Sequence, residues 1–214
     1  MYDKLEKFLS KEKLKPYFKI DGNKIIDLFV LNLNISSELY KILQIFELST
    51  RNIFNEYLSK RYSFNWINRK DVLSGNNGLN NKLYNDIQLT KNSLKNNNYN
   101  NNAIIANLSL GFWVNLLSFD NNDKIWQPSL KKIFNGYTRN EIQNIFRDIK
   151  DIRNRIAHHE TIIFKNIKFT IENLFDVLKI YSNDLYEWTN CNINKKIFQE
   201  LDNLYQQPCL KSTL

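Results

Sequence analysis

Only five glycines and three prolines serve 214 residues. A fold built from many tight turns, such as a β-sandwich, needs far more of these two residue types to reverse its chain. The apolar residues instead recur at intervals of three and four, the spacing that lays one face of an α-helix against a core. The expected class is therefore all-α, and nothing in the length demands more than one domain over residues 1–214.

The helical spacing places the elements. Pro16 to Asn34 is expected to hold a short element. Ser36 or Ser37 would then cap a helix with the apolar face Leu39, Ile42, Leu43, Phe46, Ile53 and Tyr57, reaching about Lys60. The stretch of about 74–102 is rich in Asn and reads as a variable, partly mobile insertion, although Leu79, Leu83, Ile87 and Leu94 can line one face of a marginal helix. Ala103 to Ser118 reads as one buried helix, and Asp120 to Pro128 as a turn region carrying Trp126. Thr138-Arg139-Asn140-Glu141 has the form of a capping box, a hydroxyl followed three residues later by a carboxylate at the start of an apolar periodic run. Thr170 to Trp188 and a short segment around Lys195 to Tyr205 complete the helices.

The formal net charge of +8 favours a polyanionic partner, nucleic acid first, because the field attracts it before specific contacts form. Two cysteines, Cys191 and Cys209, and two adjacent histidines, His158 and His159, cannot assemble a site with several Cys and His ligands, so neither metal nor cofactor is expected. The start lacks an apolar run after its basic residues, and the apolar stretch Ala103–Phe119 falls short of the ~20 residues a spanning helix needs. A cytoplasmic chain with no membrane partner is the expectation.

Chemistry concentrates between Thr138 and His159. On a helical wheel, Ile145, Ile149, Ile152 and Ile156 form the inward stripe, whereas Arg147, Asp151, Asn154 and His158 share the opposite side with Arg153 and Arg155 flanking. His159 falls nearer the apolar side and is expected to pack. Cleavage of RNA by its own 2′-hydroxyl needs a group with a near-neutral pKa and a fixed cation at the phosphate, and it needs no metal. His158 would serve as general base or acid, Arg153 would hold the phosphoryl oxygens, and Asn154 would orient one or the other. Arg155 would add to the cationic field.

The run Asp151-Ile-Arg153-Asn154-Arg155-Ile-Ala-His158-His159-Glu160 resembles the Arg-Asn-x-x-x-His signature of HEPN domains in the form carried by Abi-like (abortive infection) proteins. Two further segments are similar to family elements in the same order: Glu47-Leu-Ser-Thr-Arg51-Asn52, and Leu108-Ser-Leu-Gly111-Phe112-Trp113-Val114, with Leu110 where the family often has Phe. The resemblance implies a HEPN-like helical bundle with additional helices. It also implies a homodimer through the motif helix that forms a composite RNase cleft, and toxin-like anti-phage defence restrained by an antitoxin protein or RNA. Glu47 and Arg51 would be supporting residues, Glu47 by anchoring a motif arginine. Among aromatics, Trp113 reads as core, whereas Tyr62 and Trp66, set among Arg61, Arg69 and Lys70, are the better candidates for RNA contact, with Arg147 of the polar stripe as a further one; a solvated basic face is the competing reading there. The competing function is a non-catalytic module that binds RNA or protein, such as the regulatory half of a defence pair.

Overall fold

The computed structural model describes residues 2–18, 21–74, 81–94, 100–163, 166–193 and 195–205. Among them run eleven α-helices and no strand: α1 (Tyr2–Leu9), α2 (Lys11–Phe18), α3 (Ile25–Tyr62), α4 (Lys70–Leu73), α5 (Lys82–Ser93), α6 (Asn101–Asn107), α7 (Leu110–Asn115), α8 (Arg139–Ala157), α9 (Ile167–Tyr181), α10 (Asn183–Ile193) and α11 (Lys195–Tyr205). Short 3₁₀ and π turns at Trp66–Asn68, Phe119–Asn121, Asn122–Trp126 and Leu130–Lys132 join some of them. None of the described helices is long and apolar enough to cross a membrane.

The serines at 36 and 37 do not start a helix: α3 runs through them for 38 residues. The reason lies in its buried stripe. Leu28, Asn32, Ile35, Leu39, Ile42, Phe46, Thr50, Phe54 and Leu58 follow one another at steps of three and four without interruption, so burial overrides two local capping residues. Elsewhere local hydrogen bonding divides what apolar spacing joined. Ala103–Ser118 is two helices, because the Ser109 side chain accepts from the Phe112 N–H and caps α7 after an extended Leu108. Thr170–Trp188 likewise splits at Ser182, whose hydroxyl accepts from Leu185 N–H at 3.4 Å. Within the Asn-rich stretch, α5 buries Leu83 and Ile87, whereas Leu79 and the remainder of 75–80 and 95–99 lie outside the described residues.

The helices gather into two compact units. The second unit, Phe46–Lys150, is organised by rings. Phe146 meets Phe46 edge-on at 5.1 Å, stacks on Phe54 at 5.7 Å and meets Phe134 at 5.9 Å. Phe54 and Phe134 extend this cluster to Trp113 and Trp126, and Trp113 extends it to Phe112 and Trp66. The first unit, residues up to Ile45 with those from Asp151 onward, has an aliphatic core of Leu14, Ile35, Leu39, Ile152, Ile162, Ile171, Leu174 and Leu178 among others. Tyr17 packs edge-on against Phe29 at 5.7 Å within it.

Candidate active site

Helix α8 begins where its local chemistry says it should. Thr138 N–H and hydroxyl both donate to Glu141 Oε2, at 2.7 and 2.8 Å, and Glu141 N–H returns a bond to Thr138 Oγ1 at 3.3 Å. These bonds, the backbone one first, hold the Glu141 carboxyl below the usual carboxylate range. Such a depressed pKa means that the cap stabilises the fold above the unfolded carboxylate pKa and weakens as pH falls through the folded one. Along the helix Ile142, Phe146, Ile149 and Ile152 are buried and Ile145 and Ile156 half-buried. Arg147, Asp151 and His158 are exposed and Asn154 partly so, which is the polar stripe expected of this face.

The helix ends in a reversal that sequence reading did not anticipate. Glu160 N–H donates to Arg155 O at 2.8 Å and His159 N–H to Ile156 O at 3.0 Å, while His159 itself takes φ of 54°. This pair of bonds around a left-handed residue is a Schellman cap, a position that glycine usually fills because a β-carbon is strained there. His159 is consequently turned to solvent, not packed against the apolar side as its place on the wheel suggested. A wheel assumes that the helix continues; here the helix has already ended.

The first unit holds that end with directional bonds. Asn32, buried on α3, accepts from Ile162 N–H at 2.8 Å and from the Thr161 hydroxyl at 3.4 Å. The Tyr17 hydroxyl shares a hydrogen bond with Thr161, and burial, more than that bond offsets, pushes the phenol pKa up. Arg155 Nη1 donates to Thr161 O at 3.3 Å and lies 3.4 Å from Glu160 Oε2, so its charge is locally answered. Lys13 Nζ donates to His158 O at 2.7 Å, placing a cation on a carbonyl at the helix C-terminus where the macrodipole favours one. None of Lys13, Tyr17, Asn32 and Thr161 was picked out from sequence. The available signal was Asn32, a polar residue in the middle of an otherwise apolar stripe.

What results is an imidazole presented to solvent at a fixed helix end. On an ideal helical wheel Asn154 and His158, four positions apart, fall within about 40° of each other, whereas Arg153, half-buried in the structure, falls about 140° from His158. On that wheel one copy of the helix sets the histidine and the arginine on different sides, and in the structure the first is exposed and the second half-buried.

A family model described as Abi-like protein matches residues 2–164. The chain belongs to the Abi-like protein family. No curated protein and no solved structure matches it. The family segment of this Abi-like protein runs from α1 to just past the cap of α8, so every residue that pins the helix end falls inside it, and α9 to α11 fall outside.

The remaining candidates divide sharply. Arg51 Nη2 lies 3.7 Å from Glu47 Oε1, an i to i+4 pair on α3 whose side chains are each more than four-fifths buried. In the Leu108–Val114 segment Leu108, Leu110, Phe112, Trp113 and Val114 are buried, and its residues line one wall of a cleft of about 390 Å³ facing Lys82, Asp86, Leu89 and Thr90 of α5. Burial raises the pKa of Asp86 there. Trp66 must be removed from the RNA-contact candidates: it is 0% exposed, and its indole N–H donates to Asn55 Oδ1 at 2.9 Å. Apolar area on a large indole outweighed its polar surroundings in sequence. Arg61, Arg69 and Lys70 remain exposed, with Tyr62 half-buried among them.

Proposed function

We propose that this Abi-like protein is a metal-independent endoribonuclease of the HEPN type that acts as a homodimer in abortive-infection, toxin-like anti-phage defence in the cytoplasm, restrained by an antitoxin protein or RNA. The observation that carries the reading is the open His158 imidazole sharing the exposed face of α8 with Asn154, at a helix end held by Asn32, Tyr17 and Lys13. The net charge of +8 supports a polyanionic substrate.

In the proposed reaction the RNA 2′-oxygen attacks phosphorus, the O2′–P bond forms and the P–O5′ bond breaks. An imidazole takes the 2′ proton, and the leaving 5′-oxygen receives one, giving a 2′,3′-cyclic phosphate and a 5′-hydroxyl. Arg153 neutralises charge building on the phosphoryl oxygens, and Asn154 orients the ring or the phosphate through its amide. The divergence of Arg153 and His158 on one helix supports a cleft made from two copies, in which one chain's arginine meets the other's histidine and the two imidazoles divide the proton transfers.

Purified protein incubated with cellular RNA in EDTA is expected to cleave it and leave cyclic-phosphate ends. His158→Ala and Arg153→Ala variants with unchanged circular dichroism should lose at least ~100-fold in rate, the scale of acid–base or charge stabilisation in a cleavage site. Intact RNA under all conditions, together with growth arrest that survives His158→Ala, would instead favour a non-catalytic module that binds RNA or protein.

A further inference from the structure

Among the described residues, three ion pairs join a cation to a nearby carboxylate on the same helix: Lys41 to Glu38, Lys60 to Glu56 and Arg51 to Glu47. The segment from Arg61 to Lys70, with the face of α5 beside it, is built differently. Arg61 and Arg69 both hold their guanidinium groups over the Tyr62 ring, at 5.5 and 5.6 Å from its centroid. The ring itself is anchored by its hydroxyl, which donates to Lys124 O. Lys70 Nζ lies 5.7 Å from the Tyr84 centroid. Lys91 Nζ donates to Asn68 Oδ1, Asn68 Nδ2 donates to Asn101 Oδ1 at 3.2 Å, and Asn101 Nδ2 donates to the carbonyl of Phe64 at 3.1 Å. The Phe64 ring is half-exposed.

A ring or a carboxamide orients a cation without cancelling its charge, whereas a carboxylate cancels it. Of the four cations here only Arg69 meets a carboxylate among the described residues, that of Asp71 at 2.6 Å. The surface thus offers positive charge held at fixed spacing, guanidinium planes, one open aromatic ring and carboxamides. Those are the elements with which proteins hold single-stranded nucleic acid, phosphates on the cations and bases stacked on flat groups. An acidic protein would use the charge but leave the flat groups without a role, and a duplex hides the faces of its bases.

We infer that Arg61, Phe64, Arg69, Lys70 and Lys91 form a docking surface for single-stranded RNA, distinct from the end of α8 and tolerant of sequence. It rests on RNA being the partner, but not on the chain cutting it. The surface holds the strand by its backbone, so its removal weakens binding without touching the proton-transfer groups.

The test is anisotropy of a labelled twelve-nucleotide oligouridine across a salt series. The Arg61→Ala/Lys70→Ala/Lys91→Ala protein is expected to bind at least ~10-fold more weakly, with the slope of log affinity on log salt reduced by about two, from ~0.7 for each of three lost phosphate contacts. Phe64→Ala should weaken binding at every salt concentration with no change of slope. All of these proteins are compared in a His158→Ala background, where the proposed proton-transfer group is gone, which separates this surface from the cleavage reading: binding lost in the triple variant there upholds the surface whether or not the parent cuts RNA. Two results would overturn it: the triple variant binding as the parent does, or a Lys41→Ala/Lys60→Ala control losing as much affinity, since net charge alone would then account for binding. Equal or tighter binding of a duplex RNA of the same length would overturn the single-strand assignment.

Discussion

Each of the two units has its own kind of internal interaction. In Phe46–Lys150 eight rings form one connected cluster that includes Phe46 and Trp66, a non-directional apolar mass in which each member is large. In the other unit the core is aliphatic, and the chain after α8 is located by a few directional bonds to Asn32, Tyr17 and Arg155. The proposed catalytic end of α8 belongs to this second kind of construction. Rings supply bulk stability, whereas directional hydrogen bonds locate the short segment after α8.

That contrast can be broken by mutation. The largest expected effect is Phe146→Ala, which removes the ring that touches Phe46, Phe54 and Phe134 and should cost about 3–5 kcal/mol in denaturant unfolding. A loss of under ~1 kcal/mol would mean that the ring cluster does not carry its unit. Asn32→Leu comes next: it leaves Ile162 N–H and the Thr161 hydroxyl without their buried acceptor, for about 1–3 kcal/mol. Here the signature matters more than the size, because amide exchange should accelerate at Ile162 while the ring cluster keeps its protection. Uniform acceleration would erase the distinction between the two constructions. The smallest effect has the opposite sign. His159→Gly relieves a left-handed β-carbon and should stabilise by about 1 kcal/mol or less, seen as a raised melting temperature. RNA cleavage should be unchanged in that variant, since the other histidine is the proposed proton-transfer group.

Helical class, the Thr138–Glu141 cap and the split of α8 into an apolar and a polar stripe were legible along the chain, as was α11 over Lys195–Tyr205. The family motif could likewise be read directly, because Arg153, Asn154 and His158 lie within six consecutive residues at the end of α8. The pins were not legible: Lys13, Tyr17 and Asn32 are distant in sequence from the residues they hold. Nor was the fate of Trp66, which sits in a polar, basic stretch yet is buried against Phe112 and Trp113.

The sequence by itself determined part of what depends on partners within a turn, namely the Thr138–Glu141 cap, a stripe at helical period and a scarcity of turn residues, whereas the equally local Ser109 and Ser182 caps were hidden under continuous apolar spacing. Only the tertiary structure decided that α3 continues through two serines, that Trp66 is core and that His159 faces solvent beyond a reversed helix end. The physical reason is that burial and chain reversal are settled by surfaces brought together from far along the chain, and their free energies exceed the few tenths to about 1 kcal/mol by which local preferences differ.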